Sequence, residues 1–403
     1  MELDKADRLL LDCLGSEDAS SLIPALEGLE APDWADVIRR SLRHCVAPFV
    51  YQCLKRLNLG GYIPTYVLLV MKEIYIQNAA RNVRLYHNLS TALKILKDDD
   101  IPFIVLKGAH LAEAVYDRRG ERTLSDVDLL FRKKDLSRCQ KRLIQSGCYP
   151  AQGNMRLDIH WDFDLTPSGA SVDIEGMWDR AEPSVIAGVE VLVLSPEDLI
   201  LHLCLHLAIK NLLEFVGLRT FCDIRETIRC HHGQIRWEKL GDRAREGGAG
   251  NGVYLTLSLA RGLVNASVPD TILDMLMPDN LDPFVIDWAL DQIFWNKGGS
   301  LSLSPYFWQL WKPGPLRERI AHFLQLICPS PELLSKEYHA PYGSSLNYFY
   351  YMLRFKDHFS RYIRATWKMV IRDEKMLLIA EQQRQNSAMM EWFSSSQGPV
   401  TDY

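Results

Sequence analysis

The stretch from Ile101 to Phe131, IPFIVLKGAHLAEAVYDRRGERTLSDVDLLF, decides the reading of this chain. Residues 101–106 form a short apolar run with the length and branched content of a buried strand. Lys107 and Gly108 end the run, and helical spacing begins at once, over 109–116. A loop carrying Arg118, Arg119 and Arg122 leads into Ser125-Asp126-Val127-Asp128 and a second strand over 127–131. Side chains alternate along a strand, so Asp126 and Asp128 share one face while Val127 and Leu129 take the other, apolar one. Two adjacent carboxylates repel each other without a partner cation. They are also the hard oxygen donors that Mg²⁺ takes, one or two at a time, together with substrate phosphates. Gly108, lacking Cβ, lets an anion approach the backbone where a helix begins and its N–H groups are unpaired. With positive charge from Lys107 and the arginines, the segment predicts a site for a divalent cation and a polyphosphate.

Outward from this segment, residues 157–163 and 189–194 read as further strands, and 134–145 as a helix stopped by Gly147. Upstream, apolar residues recur every three or four positions from 5 to 95, which is helical spacing. Downstream, Ser195-Pro196-Glu197 combines a capping serine, proline at the first helical position and an acidic first turn. Helical patterning then resumes, with joints at the glycines of 247–250 and 298–299 and an irregular, proline-bearing segment over 302–315. The fold expected is α+β: a small mixed sheet core over 99–194, flanked by an N-terminal helical region over 1–98 and a larger all-helical domain over 195–385. A polar tail over 386–403 is expected to be flexible.

The order strand, Lys-Gly, helix, Arg-x-x-Ser-Asp-Val-Asp, strand resembles the uncharacterised nucleotidyltransferase family within the polymerase-β-type nucleotidyltransferase superfamily. LDIHWDF (157–163) is similar to the family's third core strand, GVEVLVLSPEDLILHLCLHLA (188–208) to its bridge into a helical domain, and LRTFCDIRETI (218–228) to a later helix containing an Asp. The likeness runs from about 101 to 245. It implies transfer of a nucleoside monophosphate from an NTP to an acceptor hydroxyl, with loss of pyrophosphate and two Mg²⁺ ions. On this resemblance Asp126 and Asp128 are the metal pair and Asp158 the third carboxylate, which holds metal and draws the acceptor's proton. Asp173 is the chief competitor for that third place, with Asp162 and Asp164 nearby. Lys107, Gly108, Arg122 and Ser125 would contact the nucleotide phosphates, and Arg118 and His160 are secondary candidates. The superfamily's Gly-Ser turn is here Lys107-Gly108, without the serine.

Composition sets the outer limits. At 403 residues the chain is long enough for two or three domains. Its net charge of −5 lacks the basic excess of a protein that grips nucleic acid over its whole surface, so nucleic acid is not the expected acceptor. With the family resemblance, the acceptor expected is a small molecule, sugar phosphate or peptide-derived metabolite. Nine scattered cysteines without a CxxC pair suggest neither a zinc ribbon nor a disulfide framework. With no spanning segment and no signal-like N-terminus, a reducing cytoplasmic setting is expected. Two other functions keep the fold: a nucleotide-binding regulatory or antitoxin-like module without turnover, and a natural-product tailoring transferase with a sugar or phosphate donor.

The remaining polar features have plainer readings. His202 and His206, four apart on an apolar helix, lack a third ligand and read as packed side chains. Cys230-His231-His232 reads as a surface tract at a helix end. His160 is expected on the face of Asp158, with Trp161 in the core. The basic residues between Arg354 and Lys375 fit a solvated helix face, and the aromatics between Trp288 and Tyr351 a helical core. Either set could instead line the acceptor pocket.

Overall fold

In the computed structural model, residues 3–294, 317 and 374–395 are described, apart from 150, 153–154, 164, 166–167, 214–216 and 280. The chain divides into two compact units, Met1–Trp295 with Met390–Tyr403, and Asn296–Met389. The joint at 298–299, the irregular segment 302–315, the aromatics of 295–351 and the basic residues of 354–372 lie outside the described residues.

Five helices open the first unit: α1 (Lys5–Gly15), α2 (Ala19–Glu27), α3 (Ala31–Arg43), α4 (Ala47–Arg56) and α5 (Thr65–Asp98). Local chemistry starts several of them. Asp4 and Asp18 accept from the first-turn amides of α1 and α2, and Glu30 and Asp33 cap α3 reciprocally. Helix α5 runs for 34 residues and buries Leu85, Leu89, Leu93 and Leu96 along one stripe.

That stripe packs on a six-stranded sheet of order β3-β4-β2-β1-β6-β5. The strands are β1 (Ile104–Val105), β2 (Asp126–Leu130), β3 (Ala151–Gln152), β4 (Met155–His160), β5 (Glu182–Ile186) and β6 (Val189–Val193). β2 is antiparallel to β1 and parallel to β4, while β1 and β6 are parallel. β3 and β5 are edge strands, each antiparallel to its neighbour. Val105, Val127, Leu129, Leu157, Ile159, Val191 and Val193 join the α5 leucines and Cys139 and Leu143 of α7 (Leu136–Gln145) in one core. Each fully buried leucine there contributes about 1.5–3 kcal/mol of transfer free energy. The opposite face of β2 and β4 is left to carry polar groups.

Helices complete the unit: α6 (Lys107–His110), continued by a π-helical turn over Leu111–Val115, α8 (Ile174–Asp179), α9 (Pro196–Leu205), α10 (Arg219–Cys230), α11 (Trp237–Glu246), α12 (Gly250–Val264), α13 (Asp270–Leu276) and α14 (Pro283–Phe294). Ser195 caps α9 through the Asp198 amide, as its Ser-Pro-Glu start predicts. Gly147, at φ +71°, ends α7 and lets the Cys148 N–H return to the Leu143 carbonyl.

Two expectations need correction. Residues 386–394 are not a loose tail: they are the last turns of α15 (Glu374–Ser394). Phe393 is fully buried and its ring lies 6.4 Å from Trp288, while the Ser394 hydroxyl donates to the Ser168 carbonyl. Trp161 does not enter the core on a strand. β4 ends at His160, Trp161 is half-buried in the following bend, and Phe163 takes the buried position.

Candidate active site

The site is built where β1, β2 and β4 meet. β1 delivers Lys107 at its end, and its antiparallel pairing with β2 sets Val105 opposite Leu129, so Lys107 arrives beside Asp128. The parallel register of β2 and β4 pairs Asp128 with Asp158 and Asp126 with Arg156. One oxygen from each of Asp126, Asp128 and Asp158 lies within 4.8 Å of the others. The structure thus brings these three together with Lys107, whose Nζ stands 3.5 Å from Asp128 Oδ1.

Asp128 is the buried member, at 3% exposure. Burial alone would raise its pKa. The Lys107 ammonium and a 2.7 Å hydrogen bond to His160 Nε2 outweigh that, and hold its carboxyl far below the usual carboxylate range. Asp126 and Asp158 are half-buried; Ser125 Oγ donates to Asp126 Oδ1 at 2.7 Å and Arg156 Nε to Asp158 Oδ1 at 3.0 Å.

Gly108 occupies a tight place. A Cβ there would lie 3.2 Å from Arg122 Nη1, 3.5 Å from Leu124 Cδ2 and 3.6 Å from the Asp126 carbonyl, so its absence lets α6 press against the start of β2. Arg122 is itself 6% exposed and forms a bidentate pair with Asp223 of α10, Nε to Oδ1 at 2.7 Å and Nη2 to Oδ2 at 2.8 Å. Tyr116 donates to the same Asp223 Oδ1 at 2.8 Å. Burial pulls the Arg122 pKa down, but the adjacent carboxylate more than restores it. Arg122 therefore lies beneath the Lys-Gly turn with its charge already matched.

Among the described residues, no other candidate carboxylate joins this cluster. Asp173 caps α8 through the Gly176 amide, pairs with Arg180 at 3.6 Å and borders a cavity of about 410 Å³ that Asp198 and Arg243 also line. Arg118 is exposed and lines a different cavity of about 300 Å³ with Phe49, Arg56 and Glu121. Asp162 is exposed and accepts from the Phe163 amide; Asp164 lies outside the described residues. His202 is buried against Phe163, with ring centroids 4.2 Å apart. Burial, then the nearby Lys107 charge, pushes the pKa of His202 and of His206 well below the ordinary value, so both are neutral. Cys230, the last residue of α10, and His232, just past it, are exposed.

Several residues that hold the site together were not singled out in the sequence. Asn78 Nδ2 donates to the Gly120 and Arg122 carbonyls, and Asn82 Nδ2 to those of Arg119 and Arg122. Tyr86 donates to the Ala109 carbonyl at 2.6 Å, and Arg219 to that of Thr123. The loop before β2 is thus fastened to α5 on one side and α10 on the other. The signal was present in α5: Asn78 and Asn82, four apart, fall in line with the buried Leu85 and Leu89.

A mixed sheet with a Lys-Gly turn on one strand and three clustered aspartates on the next two defines the core of a nucleotidyltransferase. Comparison with known families agrees: the model of the uncharacterised nucleotidyltransferases matches residues 30–265, more than half the chain, and the chain belongs to that family. It is a nucleotidyltransferase enzyme. The match reaches well beyond residues 101–245, taking in α4 and α5 and continuing through α12. No curated protein and no solved structure matches the chain. No helix among the described residues is long and apolar enough to cross a membrane.

Proposed function

We propose that the enzyme transfers a nucleoside monophosphate from an NTP to the hydroxyl of a small-molecule, sugar-phosphate or peptide-derived acceptor, releasing pyrophosphate in an Mg²⁺-dependent reaction. The observation that carries this reading is the cluster of Asp126, Asp128 and Asp158 with Lys107 at its edge. Three carboxylates, one held firmly ionised, are a donor set suited to a hard divalent cation. Asp126 and Asp128, with Asp158, would hold it. When bound, such an ion lowers the pKa of a hydroxyl and offsets the charge of a leaving pyrophosphate. Lys107, on a flexible stem, would turn from Asp128 toward the triphosphate, with the Gly108 backbone and Ser125 beside it. Asp158, half-buried at the rim, would take the proton of the acceptor hydroxyl. The chain's task is then to align nucleophile and phosphorus and to place charge, more than to form a covalent bond.

Pyrophosphate release tests this directly. Purified enzyme with Mg²⁺, a panel of NTPs and candidate acceptors is expected to release pyrophosphate, and the Asp126→Asn/Asp128→Asn variant to release none. Full turnover in that variant would exclude the proposed site.

A further inference from the structure

Each aspartate of the cluster has one oxygen engaged by a donor and one that, among the described residues, takes no hydrogen bond. Oδ1 of Asp126 takes Ser125 Oγ, Oδ1 of Asp158 takes Arg156 Nε, and Oδ1 of Asp128 takes His160 Nε2. The three donors are unequal. Ser125 is exposed and the Arg156 side chain is 61% exposed, whereas His160 is 8% exposed. Hydrogen bonds to exposed groups compete with water and contribute little, while a buried donor to a charged acceptor is strong and directional. An ionised carboxylate can only accept, so His160 must carry its proton on Nε2. Its Nδ1 is buried and has no partner among the described residues, so no second bond from them fixes the ring. Lys107 also points at Asp128 Oδ1, from 3.5 Å, but across a longer and more flexible stem.

Resting on the proposed reading of the site, we infer that His160 is the positioning residue of the metal centre. Its Nε2–H holds Asp128 by Oδ1 and so presents Oδ2 to the cation, alongside Asp126 and Asp158. Lys107 cannot do this through a turnover in which it moves to the phosphates. The register explains how His160 comes to serve: it lies two residues beyond Asp158 on β4, on the same face, opposite Leu130 of β2. Outer partners of metal-ligating carboxylates typically change metal affinity or activity by 10-fold to 100-fold when removed.

The test titrates Mn²⁺ into full-length, nucleotide-free protein and counts free ion by electron paramagnetic resonance. His160→Leu is expected to weaken Mn²⁺ binding by about 10-fold to 100-fold. His160→Gln, whose amide nitrogen can stand where Nε2 stood, is expected to bind within about threefold of wild type. In turnover, His160→Leu should raise the Mg²⁺ concentration needed for half-maximal rate, with kcat largely recovered at saturating Mg²⁺. Should His160→Leu not fold, His160→Asn replaces it: its shorter amide cannot reach Asp128, and it is expected to bind as weakly. Wild-type protein that binds no Mn²⁺ would overturn the reading of the site, and this inference with it. Tight binding that wild type shares, within threefold, with His160→Leu or His160→Asn would overturn the role of His160 alone.

Discussion

Arg122 shows how a side chain's partners decide what it can do. Its sequence position, four residues before Asp126, points toward phosphate, yet its guanidinium is spent on the buried Asp223. Removing one member of such a pair strands a buried charge, whereas removing both with apolar replacements is far milder. Arg122→Met is therefore expected to lower unfolding free energy by about 3–5 kcal/mol in urea titration, and Arg122→Met/Asp223→Leu by clearly less. Equal losses would mean that the pair is not coupled. Glu121, next to it, behaves in the opposite sense. Burial first, then the carboxylates of Asp117 and Glu226, push its pKa up to about 7, and no ion pair relieves it among the described residues. A raised folded pKa means that its favourable contribution is complete below the unfolded value, about 4.3, and is lost as pH rises through 7. Glu121→Gln should accordingly raise Tm at pH 8 and leave it unchanged near pH 4. A gain of the same size at both values would contradict that assignment.

At the scale of elements, the site depends on how α5 and α10 grip the loop before β2. Asn78→Ala with Asn82→Ala strands the Arg119, Gly120 and Arg122 carbonyls, each worth about 1–3 kcal/mol if left buried and unpaired. The double variant is expected to unfold earlier and to lose nucleotidyl transfer more than a mutation of equal cost in α1, as paired stability and turnover measurements would show. Strands with strong alternation and apolar content were legible from sequence: β2 and β6 lie within one residue of where their pattern puts them, and β4 begins two residues and ends three residues earlier. β1 pairs over only two residues because the rest of its apolar run turns into α6 and the α5–β1 connection. The edge strands β3 and β5 escaped notice for physical reasons. β3 has two residues, and β5 is Glu-Pro-Ser-Val-Ile, whose proline belongs on an edge and reads as a breaker. The Asp126, Asp128 and Lys107 cluster was legible because alternation and one turn fix it. The Arg122–Asp223 pair was not, because 101 residues separate its members and only packing joins them.

For the whole molecule, the family match over residues 30–265 takes in all of α3, α4, α5 and α9 through α12 together with the strands that carry the aspartates. The chain's far end returns to the same unit. Asn251 of α12 donates to the Trp392 carbonyl, and Phe393 is enclosed beside Trp288. Truncating a buried aromatic leaves a large void, so Phe393→Ala is expected to cost about 3–5 kcal/mol in denaturant unfolding. A change below 1 kcal/mol would mean that the terminal turns do not belong to that core. Whether the three aspartates make this fold a cation-dependent nucleotide site is read out by calorimetry. NTP would be titrated with Mg²⁺ and then with EDTA into wild type and Asp126→Asn/Asp128→Asn. Wild type should bind at least tenfold more tightly with Mg²⁺, and the variant should show no such difference; equal affinity of wild type in Mg²⁺ and EDTA would mean that they do not.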